Sequence, residues 1–290
     1  MFHRLIFHND GIVPVDEARF SPGQAGLLNG WGLFTTMRIF QGEAFAYERH
    51  WRRLEKDAGR IRLPFPFDPG EVRRHLGELL AANHVVEGAA RIYMIYNCVG
   101  SWRSDEPMPE VDLILCTSAL PAYPGHARLG VAKNGRHAAS PLAGVKTTSW
   151  LNNVWHLEEA QKAGWTEVIL LNERGEVAEC TSANIFCVKD GKIFTPPLSS
   201  GCLEGVTRSL LLEIAPRAGV PLSEKTLRMD DLYAADEVFI TSTNRSLLGV
   251  SEISGHKFPV VMGPLVHKLE QAFDAAIREY VAQRIASLRA

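Results

Sequence analysis

The strongest constraint on this chain is a set of short apolar segments set between glycine-bearing turns. Residues 166–172 and 177–180 flank Glu173-Arg174-Gly175, and residues 184–188 and 193–195 flank Lys189-Asp190-Gly191. Segments so short, bounded by turn residues, read as strands of a meander rather than as helices. A helical period precedes them over 152–163, with Val154, Leu157 and Ala160 on one face. Another follows over 206–218, opened by Gly205. Alternation of the two periods predicts a mixed α/β domain.

The earlier part of the chain has its own pattern. Leu5-Ile6-Phe7 and Ile12-Val13-Pro14 flank Asn9-Asp10-Gly11, a hairpin signal. Glycines crowd residues 23–32, which predicts irregular or closely approached backbone. Residues 33–40 and 43–47 read as a second hairpin about Gln41-Gly42. A helix is predicted over 48–61, with Trp51, Leu54, Ala58 and Ile61 inward and Arg52, Arg53, Glu55 and Lys56 on other faces. A second helix spans 69–86, with Val72, Leu76, Leu79 and Leu80 inward. Residues 91–96 and 111–117 are strands about a polar loop at 100–110. Residues 119–128, rich in Pro, Gly and Ala, form the expected linker between a domain at 1–118 and one at 129–290. The second domain opens with a strand over 129–133. It closes with a buried strand over 237–241 and an amphipathic helix over 263–288, with Leu265, Leu269, Phe273, Ile277, Tyr280 and Ile285 inward.

Charge and cysteine content exclude several functions. A net charge of -2 gives no attraction to nucleic acid or anionic membrane. The five cysteines, Cys98, Cys116, Cys180, Cys187 and Cys202, include no CxxC pair, so free thiols in a reducing cytoplasm are expected and no metal site. No apolar run approaches the length of a membrane span, and no secretory signal is visible at the N-terminus.

Three groups in the second half can carry chemistry. Lys146 lies among Gly144, Val145, Thr147, Thr148 and Trp150, with no carboxylate beside it. A lysine in a partly apolar setting loses its charge readily and attacks carbonyls, though a strand-end lysine can equally be a solvated cation. Glu179 ends a strand, where it can either face a pyridine nitrogen or simply meet water. Gly205, Val206 and Thr207 open a helix whose free N–H groups suit a phosphate, although such starts also occur without ligands. Thr241, Ser242, Thr243 and Asn244 can add donors, and Arg52 or Arg53 a cation. Amine, carboxylate and phosphate cradle together are what holding pyridoxal phosphate requires. A Ser-Lys hydrolase using Ser140 or Ser149 has only proximity to Lys146 behind it, and neither G-x-S-x-G nor H-E-x-x-H occurs.

Taken in order, FTTMR, HWRRL, VK, GEVAECTSANIF, LEGVTR and FITST resemble the class IV (fold type IV) pyridoxal-phosphate enzymes over about residues 30–249. That family includes branched-chain and D-amino acid aminotransferases, R-selective amine transaminases and aminodeoxychorismate lyase. The resemblance implies that Lys146 is the Schiff-base lysine and Glu179 the carboxylate at the pyridine nitrogen. It implies further that Arg53, Val206, Thr207 and Thr243 hold the phosphate and that Leu203 packs on the ring. It implies an α+β / α/β fold: a small N-terminal α/β domain and a larger C-terminal domain with a barrel-like sheet, cofactor at their junction, assembled as a homodimer.

The departures concern the substrate side. Trp150 stands near where several relatives have a tyrosine, and Thr35-Thr36 follows Phe34 where branched-chain enzymes carry an acidic and a small residue. Tyr93 replaces their substrate arginine, which leaves Arg38 and Arg91 as candidates for a substrate carboxylate. Phe34-Thr35-Thr36 is similar instead to aminodeoxychorismate lyase. The expected activity is transfer of an amino group from a branched-chain or related amino acid, or an amine, to a 2-keto acid. The alternatives are aminodeoxychorismate lyase and an inert pyridoxal-phosphate-binding protein.

Overall fold

Alternating burial shapes the first part of the chain. From Leu33 to Ile39 the odd residues are buried, and from Phe34 to Phe40 the even ones are half-buried, the period of a strand with one covered face. The structure, a computed structural model, describes residues 1–20, 23–97 and 109–289. Cys98 and positions 100–108 of the expected loop lie outside them. The chain divides into two units: Met1–Pro121, Val145–Trp150 and Glu279–Ala290 form one, and Ala122–Gly144 and Leu151–Arg278 the other. Two pieces of the segment 129–290 therefore cluster with the first unit.

The first unit contains β1 (Phe2–His8), β2 (Gly11–Pro14), α1 (Ala25–Asn29), β3 (Gly32–Phe40), β4 (Glu43–Ala44), α2 (Tyr47–Ile61), α3 (Pro69–Ala82), β5 (Gly88–Tyr96) and β6 (Val111–Ser118). Its strands form one antiparallel sheet in the order β2-β1-β6-β5-β3-β4. Trp51, Leu54 and Ala58 of α2 and Val72, Leu76 and Leu79 of α3 share a core with Leu33, Met37, Ile92, Met94 and Leu115 of the sheet. Gln41 at φ 51° and Gly42 at φ 78° supply the paired positive φ that a tight hairpin between β3 and β4 needs.

Two boundaries differ from expectation for visible reasons. The strand predicted to reach Tyr47 stops at Ala44, because Ala46 turns at φ 56° and Tyr47 already begins α2. The helix predicted to reach Val86 stops at Ala82. Asn83 leaves it to pair with β1, accepting from Leu5 N–H at 3.2 Å and donating to Leu5 C=O at 2.8 Å. Its start is conventional: the Asp68 carboxylate accepts from Glu71 N–H at 2.9 Å and Pro69 follows it.

The second unit contains β7 (Ala127–Ala132), α4 (Leu151–Lys162), β8 (Glu167–Leu171), β9 (Val177–Cys180), β10 (Asn184–Lys189), β11 (Lys192–Thr195), α5 (Val206–Arg217), β12 (Leu222–Glu224), α6 (Met229–Tyr233), β13 (Glu237–Ser242), β14 (Ser246–Ile253) and β15 (His256–Lys257). The last helix, α7 (Pro264–Arg289), starts here and ends in the first unit. The strands form one sheet in the order β12-β11-β10-β13-β14-β7-β8-β9, with β15 paired to β14, curled as a half-barrel.

The expected meander is two separate hairpins, β8–β9 and β10–β11, with β13, β14 and β7 between them. β10 is buried on both faces through Val188, and such a strand belongs inside a sheet. Phe186 stacks on Phe239 of the neighbouring β13 at 4.8 Å. On α4 the buried face differs from the expected one: Val154 is exposed and Leu157 half-buried, whereas Asn153 and Ala160 are buried. Asn153 turns inward to meet polar partners, which an apolar period cannot reveal. Val266, Leu269, Phe273, Ile277 and Val281 line the buried side of α7. Among the described residues no helix is long and apolar enough to cross a membrane.

Tyr280 ties the end of α7 into the first unit. Its hydroxyl accepts from Tyr47 N–H and from Arg73, both at 3.2 Å, and donates to Glu48 at 2.7 Å. Tyr280→Phe is expected to cost about 1–2 kcal/mol by leaving these partly buried partners unmatched. Urea denaturation checks this, and an unchanged midpoint would count against the tie.

Candidate active site

Lys146 owes its place to pairing between distant parts of the chain. Phe34 N–H donates to Lys146 C=O at 3.1 Å and Thr148 N–H to Gly32 C=O at 2.9 Å, with a bridge between Leu33 and Thr147. Val145–Trp150 thus runs beside β3, within the first unit. Lys146 N–H donates to the Asp57 carboxylate of α2 at 3.2 Å. The Lys146 amine lies 4.5 Å from the centre of the Phe34 ring and 6.0 Å from that of Trp150. Burial pushes the Asp57 carboxyl above its usual range.

Beneath β3 a buried polar chain holds Arg53. Its guanidinium donates to Thr35 Oγ1 at 2.8 Å, and Thr35 Oγ1 lies 2.7 Å from His50 Nδ1. Arginine can only donate, so the Thr35 oxygen accepts from Arg53. Burial, then the positive charges of Arg53 and Lys146, hold His50 well below its usual value. Arg53 is therefore a buried residue of α2, not a polar-face residue as its position in the helical period suggests.

The substrate-side candidates share the other face of the sheet. Phe34, Thr36 and Arg38 alternate along β3, with Tyr93 opposite Phe34 and Arg91 opposite Thr36 on β5. The Phe34 ring stacks on Tyr93 at 5.6 Å and meets Trp150 edge-on at 6.1 Å. Arg38 lies over Phe40 at 4.7 Å and Arg91 over Phe2 at 5.4 Å, and both keep a buried Nε with no hydrogen-bond partner among the described residues. Burial lowers the Arg38 pKa and raises that of Tyr93. Ser149 is engaged elsewhere, donating to Gly30 C=O at 3.0 Å, so it does not face Lys146 as a hydrolase nucleophile would.

The second unit carries the other predicted groups. Glu179, on β9, is buried: Oε1 accepts from Arg136 Nε at 2.9 Å and Oε2 from Leu203 N–H at 3.1 Å. Leu203 C=O accepts from Asn184 Nδ2 at 2.9 Å, just before the start of α5. Helix α5 has Gly205 as N-cap with no side-chain cap, so its first turn, Val206 and Thr207, offers N–H groups to an outside acceptor. A Cβ at Gly205 would collide with Asn184 Oδ1, which explains the glycine. Thr241 Oγ1 and Asn244 Oδ1, either side of Ser242 and Thr243, are buried and unpartnered among the described residues. Open helix N–H groups, a glycine that admits no side chain and an orphaned hydroxyl suit a phosphate ester. In the same unit, Glu167 is buried with Thr181, Ser182 at 2.5 Å and Arg245 at 3.3 Å, which fixes the turns after β9 and β13.

Nothing in the local sequence marks Arg136, Asn153 or Glu167 as organisers. His50 has one signal, its place three residues before Arg53 in HWRRL. Among the described residues no cluster of His, Cys, Asp and Glu is arranged to hold a metal ion. The four described cysteines are buried free thiols, and burial pushes those of Cys116, Cys187 and Cys202 up to about 12.

An antiparallel sheet unit that carries the lysine, and a half-barrel unit that carries the buried glutamate and the open helix start, define a class. The family model for amino-transferase class IV matches residues 32–253, and the chain belongs to that family. It is 29% identical over 284 residues to the D-alanine aminotransferase of Staphylococcus aureus (strain COL), covering 95% of this chain and 98% of that one. The branched-chain aminotransferase of Thermoproteus uzoniensis, solved with norvaline, superposes with a TM-score of 0.87 at 27% identity, covering 97% and 98% of the two chains. The T.th. branched-chain amino acid aminotransferase, solved with pyridoxamine 5'-phosphate, gives 0.86 at 27% identity, covering 96% of each chain.

His50 makes the fold sensitive to acid. Its folded-state pKa lies below the unfolded value of 6.5, so below pH 6.5 the unfolded chain binds the extra proton and stability falls. The expected slope is up to about 1.4 kcal/mol per pH unit. Asp57, raised above 3.8, acts with the opposite sign, so the difference between wild type and His50→Asn isolates the histidine. Denaturation at pH 5.0 to 7.5 checks it, and parallel curves would contradict a buried neutral His50.

Proposed function

We propose that the chain is a pyridoxal-phosphate-dependent transaminase that moves an amino group from an amino acid, branched-chain or related, or from an amine, to a 2-keto acid. The observation that carries this reading is the Lys146 amine lying on the Phe34 ring, in a segment held to β3 by two backbone hydrogen bonds. When bound, the cofactor supplies a carbonyl for amine capture and an electron-poor ring that stabilises charge at the reacting carbon.

The residues of the chain do the rest. Lys146 would hold the cofactor through its amine and would move a proton at the substrate carbon. Arg53, the first turn of α5 at Val206 and Thr207, and Thr243 hold the phosphate. Leu203 packs on the ring. Glu179 accepts from the ring nitrogen, which keeps the ring electron-poor. Phe34, Thr36, Arg38, Arg91, Tyr93 and Trp150 are the substrate side, with Arg38 or Arg91 taking a carboxylate. Buried free thiols support a cytoplasmic location, and the family resemblance supports a homodimer.

Thr36 favours a second reading, aminodeoxychorismate lyase, because it stands on the same sheet face as Phe34. The lyase needs no keto-acid acceptor, whereas transamination does, so product formation with and without acceptor separates them.

Lys146→Ala is expected to lose both the visible cofactor band and amino-group transfer, by at least a thousandfold if proton transfer and covalent capture each contribute about 10²-fold or more. Full activity in that variant would refute the assignment. Gly205→Ala is expected to weaken cofactor binding, since the new methyl collides with Asn184. Equilibrium dialysis with pyridoxal phosphate measures it.

A further inference from the structure

We infer that Arg136 is a positioning residue that aims the Glu179 carboxylate at the ring nitrogen and sets a positive charge beside it. The inference rests on the reading of Glu179 as the carboxylate that meets the cofactor ring.

The loop after β7 is anchored where Arg136 N–H donates to Leu171 C=O at 3.1 Å. From there the Arg136 guanidinium reaches two side chains, besides a long 3.5 Å contact with its neighbour Gly135 C=O. Its Nε donates to Glu179 Oε1 at 2.9 Å, and one Nη donates to Asn153 Oδ1 of α4 at 3.0 Å. Asn153 in turn donates to Thr181 C=O at 2.5 Å, just beyond the end of β9. The guanidinium is thus held at a fixed angle between β9 and α4, and its planar fork passes that angle to the carboxylate. Leu203 N–H holds the second carboxylate oxygen at 3.1 Å.

Both oxygens of Glu179 are tethered, yet a carboxylate has about four acceptor sites, so each oxygen keeps one for a further donor. The pyridine N–H is such a donor. The pairing also gives a buried carboxylate a cationic partner. Removing one partner of a buried ion pair leaves the other uncompensated. Without Arg136, Oε1 of Glu179 loses the donor that orients it and the carboxylate turns from its place. A carboxylate turned away no longer accepts from the ring nitrogen, and a pyridine nitrogen without that acceptor gives up its proton. The second tether is made by the backbone of Leu203, so the residue assigned to the ring face and the one assigned to the ring edge are fixed by the same carboxylate.

The test is the ¹⁵N chemical shift of ring-¹⁵N pyridoxal phosphate bound to the holoenzyme, in wild type, Arg136→Gln, Arg136→Lys and Glu179→Gln. The expected result is a pyridinium signal in wild type and a neutral-pyridine signal in Arg136→Gln and Glu179→Gln. Arg136→Lys, which keeps the charge, restores the pyridinium signal at least in part. The half-reaction rate of Arg136→Gln is expected to fall roughly 10- to 100-fold, as for loss of a charged hydrogen bond. A pyridinium signal in Arg136→Gln alongside a neutral one in Glu179→Gln overturns the role of Arg136. So does an Arg136→Lys signal as neutral as that of Arg136→Gln, because charge would then not be what Arg136 supplies. A pyridinium signal in Glu179→Gln overturns the assignment of Glu179 itself, and the inference with it.

Discussion

Two backbone hydrogen bonds between the segment Val145–Trp150 and β3 are what the proposed chemistry of this chain depends on. They take residues from the middle of the sequence and lay them along a strand formed near its start. Once there, Lys146 has an aromatic floor from Phe34, an aromatic wall from Trp150, and a carboxylate of α2 on its own amide. A lysine on a free loop would be hydrated and mobile. Half-buried over a ring and beside an indole, its amine has a partly apolar setting, which favours an amine acting as a nucleophile.

Both units bury polar networks within an otherwise apolar interior. Thr35, His50 and Arg53 form one buried chain, and Arg136, Glu179 and Asn153 form another. Glu167 with Ser182 and Arg245 forms a third. Each costs desolvation that an apolar core would not incur, and each is offset only while every partner is in place. Such networks rigidify what they touch. Here they touch the strand beside Lys146, the carboxylate on β9 and the turns leading to Thr243, so the cost falls where groups must be held in a fixed geometry.

The legible parts of the chain are those in which local chemistry and tertiary packing agree. Helices α2 and α3 follow their apolar period because Trp51, Leu54, Val72 and Leu76 face one core. The start of α3 follows from Asp68-Pro69, and the hairpins from Gln41-Gly42 and Asp190-Gly191. The site lysine and the glycine-headed helix stand out because their neighbours are unusual for solvated positions. Where polar residues turn inward, the local period misleads. Asn153 displaces Val154 from the buried face of α4, Asn83 shortens α3 by pairing with β1, and Arg53 is buried.

Sequence alone determined helices α2, α3, α4, α5 and α7 and the hairpins about Gln41-Gly42, Arg174-Gly175 and Asp190-Gly191, but not β14 or the short α1, α6, β12 and β15, and it singled out residues that offer an amine, a carboxylate or open N–H groups. These are local properties, set by side-chain period, turn residues and charge within a few positions. Only the tertiary structure decided that 145–150 joins β3, that β10 lies centrally rather than next to β9, and that Arg136 meets Glu179. Each of those is a pairing between residues far apart in the chain. Hydrogen-bond valence and burial select such pairings only after the sheets have formed, and no short stretch of sequence contains that information.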